Sequence, residues 1–125
     1  MQIVEQAQPL ASPLPGIEHS TWAGAAQGLN QLSLWRQVLA PGARTPQHSH
    51  DCDEVVLCLA GEGTVQEGAA TSRFRAGQTV VLPAGRVHEL VNTGAGPLQI
   101  LGIFGASPVA TRLPDGAALE LPWAS

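Results

Sequence analysis

The chain has 125 residues, a mass of 13.0 kDa, a formal net charge of -4 and a pI near 5.4. That size predicts one domain with enough core to fold without disulfides or metal. The acidic balance argues against electrostatic nucleic-acid binding, and with no lysine and no tyrosine neither Schiff-base chemistry nor a phenolic acid or base is available.

Residues 1–16, with Pro9, Pro13 and Pro15, read as an extended arm, because proline supplies no ladder donor. From Ile17 onward the chain breaks into short apolar runs punctuated by Gly and Pro. The predicted strands are 32–39, 45–50, 54–59, 63–66, 72–75, 79–82, 87–91 and 98–104. Turns fall between them at 40–42, 61–63, 67–68, 76–77, 83–85 and 92–96. This spacing argues for an all-β sandwich or barrel. Residues 29–39 have the length of a helix, but Gly28 and Pro41 frame them and Trp35 and Val38 favour a strand. The barrel is expected over 17–107, with the tail 108–125 packed on it and Trp123 as an anchor.

No window of the sequence approaches 18 uninterrupted apolar residues, so no membrane span is predicted. The start lacks a basic n-region and apolar h-region, and Cys52 and Cys58 are too few for a disulfide framework. A reducing, cytoplasmic setting is the expectation. Charged residues make up 13%, about half of the usual ~25%. That predicts a surface partly covered by a second copy, as a homodimer.

Three of the four histidines fall in a pattern. His48 and His50 are two apart, so on a strand they share a face. Glu54 follows the polar turn Asp51-Cys52-Asp53, and His88 comes from a distant strand after Pro83-Ala84-Gly85. Three imidazoles and a carboxylate suit one divalent transition metal and can leave coordination positions open. His19 has no partner at ligand spacing and reads as an ordinary core or surface histidine.

These residues resemble the cupin superfamily. Its first motif, G-x5-H-x-H-x3,4-E-x6-G, is met by Gly42, His48, His50, Glu54 and Gly61. Its second, G-x5-P-x-G-x2-H-x3-N, is met by Gly77, Pro83, Gly85, His88 and Asn92. The resemblance implies a small β-barrel of two facing sheets with one iron, manganese, nickel or zinc ion inside, near one mouth. It also implies a homodimer acting on a small molecule, and the charge balance and the lack of a long apolar run add that neither nucleic acid nor membrane is expected as partner. The first function it implies is a metal-dependent oxygenase of the dioxygenase type, with Glu54 able to double as a base. A non-catalytic metal- or ligand-binding module and a metal-dependent isomerase or lyase are the alternatives.

Strand parity extends the expected cavity. If His48 and His50 point inward, so do Arg44 and Pro46; with Glu54 go Val56 and Cys58; with His88 go Leu90 and Asn92. Ile100, Gly102 and Phe104 share one face of the last long strand. Arg44 is the candidate for holding a substrate carboxylate or enolate, and Arg86 is a weaker one. Cys58 reads as core or cavity wall. Cys52 sits in an acidic turn that disfavours a thiolate. Trp22 and Trp35 read as core or interface residues.

Overall fold

The computed structural model describes all 125 residues. Its strands are β1 (Leu10–Ala11), β2 (Ile17–Ala23), β3 (Ser33–Leu39), β4 (Ser49–His50), β5 (Glu54–Ala60), β6 (Glu62–Glu67), β7 (Ala70–Arg75), β8 (Thr79–Leu82), β9 (His88–Asn92), β10 (Leu98–Phe104) and β11 (Thr111–Arg112). One 3₁₀ turn, Ala25–Gln27, is the only helical piece. The all-β expectation holds.

One wall is a six-stranded sheet in the order β1-β2-β3-β10-β5-β8. The facing wall is the sheet β7-β6-β9. Two isolated bridges, Arg44–Val91 and His48–His88, carry residues 44–48 alongside β9. Beyond them β4 pairs with β11. Period-2 alternation decides which way each strand faces. In β3, Ser33, Trp35, Gln37 and Leu39 are buried while the residues between them are not. β10 buries Leu98, Ile100, Gly102 and Phe104 in the same manner. Leu39, Leu98, Ile100, Val56 and Leu90 fill one end of the interior. Trp35, Phe104 and Val109 form a second cluster towards the other.

Glycine is required at the β5–β6 corner. Gly61 has φ +85°, and a Cβ there would meet the Pro97 carbonyl at 2.5 Å. Gly85, with φ +79°, makes the turn that leads into His88. The arm is held by the Trp22 indole, which donates to the Ala7 carbonyl at 2.8 Å, and Leu10–Ala11 joins β2 as an edge strand.

The local differences from the sequence reading have physical causes. The segment 45–50 is a strand only at Ser49–His50, because Pro46 has no N–H to give the ladder. β2 carries Glu18, His19, Ser20 and Thr21, so its apolar signal is weak, and it was not among the predicted strands. β1 and β11 have two residues each, too few to show any period.

Candidate metal centre

His50 leaves β4 and His48 precedes it, while His88 opens β9 directly across the His48–His88 bridge. Glu54 opens β5 on the opposite wall, so the two walls converge on one point. The ligand atoms of His48, His50 and His88 lie within 4.8 Å of one another. The Glu54 Oε2 atom is 3.5 Å from His50 Nε2 and 3.3 Å from His88 Nε2. His50, Glu54 and His88 are all buried.

Hydrogen bonding fixes which nitrogen each ring presents. His48 Nδ1 is 2.6 Å from the Pro46 carbonyl, and His88 Nδ1 is 2.9 Å from that of Arg86. His50 Nδ1 is 3.3 Å from the Ala110 carbonyl. A carbonyl can only accept, so in the neutral rings each Nδ1 carries the proton and each Nε2 keeps its lone pair. Burial, then the neighbouring His88, pushes His48 down to about 4. Burial also lowers His50, against the pull of Glu54. In His88 burial acts downward, but the adjacent Glu54 carboxylate outweighs it and the net shift is upward.

The Glu54 Oε2 and His88 Nε2 atoms are buried without a satisfied hydrogen bond although they face each other. Orphaned polar atoms of this kind call for an unmet partner. Three imidazole nitrogens around one point, with a carboxylate oxygen beside two of them, fit a divalent transition metal.

The cluster opens on a small cavity of about 90 Å³. Val56, Leu90, Ile100 and Phe104, all predicted from parity, line it. Phe104 packs edge-on to His50, with ring centroids 5.0 Å apart. Three parity expectations are corrected. Arg44 is not a cavity residue: its side chain is 65% exposed and pairs with Glu89 at 3.1 Å. The irregular backbone around Pro46 places Thr45 and Pro46, rather than Arg44, against the cavity. Cys58 faces inward but sits two residues deeper along β5, in the apolar end of the core. Asn92 also lies beyond the cavity, holding the turn after β9.

Other residues stand clear of the cluster. Arg86 is on the surface, 3.1 Å from Glu67. Burial raises both the Cys52 and Cys58 thiols, so neither is a ready nucleophile. His19 stacks on Trp123 with centroids 3.9 Å apart and bonds to Thr21 and Gln37; burial holds it at about 4.

Sequence reasoning missed Gln37, Thr111 and the tail residues Leu119–Trp123, all of which line the cavity, and it placed Trp35 only as core or interface. Gln37 and Trp35 were within reach of the parity argument applied to β3. The tail gave no periodic signal.

A family model described as a cupin domain matches residues 35–104. The chain belongs to the cupin family. Auxin-binding protein 1 of Arabidopsis thaliana is 34% identical to this cupin over an alignment of 105 positions that covers 76% of this chain and 53% of its own length. The chain thus spans about half the length of that relative. Among solved structures, oxalate decarboxylase from Bacillus subtilis superposes with a TM-score of 0.74 at 21% identity, over 88% of this chain and 30% of that one. The polyketide cyclase RemF from Streptomyces resistomycificus gives 0.71 at 19% identity, over 87% and 83%. At such identities these structures establish the cupin barrel and not the reaction.

Proposed function

We propose that this cupin holds one divalent transition metal on His48, His50, Glu54 and His88 and acts as an oxygenase on a small, largely apolar organic molecule. The observation that carries the reading is the convergence of three Nε2 lone pairs and an unsatisfied carboxylate oxygen on a cavity walled by Val56, Leu90, Ile100 and Phe104. A bound Fe(II), Mn(II) or Ni(II) would supply Lewis-acid and redox chemistry at its open positions. The apolar walls orient the substrate and keep bulk water out. Swung away from the ion, the Glu54 carboxylate can take a proton from an acidic C–H or O–H of the substrate. Enols, diketones and catechols match those requirements.

A second reading, binding without turnover, is favoured by the 34% identity to a protein named as auxin-binding. The test is oxygen uptake by protein reconstituted with Fe(II), Mn(II) or Ni(II), against a panel of those three compound classes. Oxygen consumption with product, above that of the free metal, supports the oxygenase. Saturable binding of an aromatic acid with a raised Tm, and no oxygen uptake, supports the binding protein.

We also propose that two copies pair through the outer face of the six-stranded sheet. Ile103 stands opposite Leu34 on one side and Val55 on the other, and Val55 stands opposite Val81. These four residues form one apolar row across four strands. Val81 is 68% exposed in the single chain. An uncovered row of this kind fits a self-complementary interface. Analytical ultracentrifugation should find a dimer, and Val81→Arg should shift it to monomer. A monomeric parent protein would refute the pairing.

A further inference from the structure

The three imidazoles have their Nδ1 atoms held by different parts of the chain. His48 and His88 each use a carbonyl two residues back, so their restraint comes with the local backbone. His50 has none of that kind. Its Nδ1 meets the Thr111 hydroxyl oxygen at 3.0 Å and the Ala110 carbonyl at 3.3 Å. Both partners lie about 60 residues further on, outside both cupin motifs.

The Nδ1 proton of His50 is therefore shared between two tail acceptors, and Thr111 is the closer. The Ala110 carbonyl also takes the Asp51 N–H at 3.4 Å. Thr111 is only 5% exposed. The segment around it is fastened on several sides. β11 pairs with β4, Arg112 forks onto the Asp51 carboxylate at 2.7 and 2.8 Å, and the Leu119 N–H donates to the Thr111 carbonyl at 2.8 Å. Thr111 thus sits on a rigid mount behind the ring it touches.

We propose that Thr111 is the positioning residue for His50: its hydroxyl oxygen holds the Nδ1–H tautomer and the ring angle, so that Nε2 faces the ion. This rests on the metal-centre reading and extends that centre into the tail. Groups that bond the far nitrogen of a ligating histidine typically change metal affinity by 10–100-fold. Thr111→Val keeps the shape and removes the hydroxyl, and Thr111→Ser keeps the hydroxyl and removes the methyl.

The experiment compares the two variants with the parent protein by two readouts. One is Zn(II) affinity in competition with a chromophoric chelator. The other is the pair of His50 imidazole ¹⁵N shifts in metal-free protein, which report the tautomer. T111V should bind Zn(II) about 10-fold more weakly and move His50 towards the Nε2–H tautomer, while T111S should match the parent in both. A T111V protein with parental affinity and parental His50 shifts would overturn the proposal. So would T111S as weak as T111V, since packing and not the hydroxyl would then be responsible. A parent protein that takes up no Zn(II) would overturn the metal reading and this proposal with it.

Discussion

His50→Ala and His88→Ala will each weaken metal binding by more than about 100-fold. Loss of an outer group alone costs 10–100-fold, and loss of a ligand removes a metal bond outright. His50 and His88 are buried at 3% exposure each, and alanine offers no donor atom in place of the lost nitrogen. The His19→Gln variant is the control. His19 is also buried against aromatic rings, yet it bonds Thr21 and Gln37 and takes no place in the cluster. It should keep the parental metal content. Metal per chain by elemental analysis, with circular dichroism on the metal-free proteins, separates the outcomes. Equal retention in all three variants would refute the assignment of the ligands.

Asn92→Ala should destabilise the fold by about 2–4 kcal/mol without touching the metal site directly. The Asn92 side chain is among the most buried in the molecule, at 1% exposure. Its Nδ2 donates to the carbonyls of Leu39 and Gly96, each at 2.9 Å, and its Oδ1 accepts from the Gly94 N–H at 2.9 Å. One amide thereby ties β3, β9 and the turn before β10 together. Alanine leaves those buried backbone groups short of a partner, and each orphan costs roughly 1–3 kcal/mol. Thermal unfolding of the metal-free protein should show a fall in Tm of about 10 °C. A fall of a degree or two would mean that water replaces the side chain and that the tie is not structural.

The residues that were legible in the sequence were those carrying a strong local signal. β3, β5, β8 and β10 alternate or run apolar between Gly and Pro, so their existence was legible, and parity counted from Glu54 gave the inward face of β5 and grouped Ile100, Gly102 and Phe104 on one face of β10. His48, His50, Glu54 and His88 stood out through their spacing. Parity failed where the backbone ceased to be a strand. Counting back from His48 crosses Pro46, and Arg44 emerges on the surface beside Glu89. Parity also says nothing of depth, which is why Cys58 faces inward yet misses the cavity. Trp123 was legible as an anchor of the tail, but Thr111 was out of reach for a different reason. Its role comes from a contact made across the chain, against His50, and a tail of short, irregular pieces carries no pattern that announces it.

The His48–His88 bridge and the Thr111–His50 contact also bear on when this protein could take up a metal ion. Both join parts of the chain that are far apart in sequence, and such pairings are slow to form because long loops must close first. An unfinished chain therefore has no assembled trap for an ion, only scattered imidazoles. An ion held by these side chains would bind the assembled barrel, and its binding energy would then add to the native state. Which ion such a centre would hold then depends on its geometry and on what is available to the finished protein more than on raw affinity.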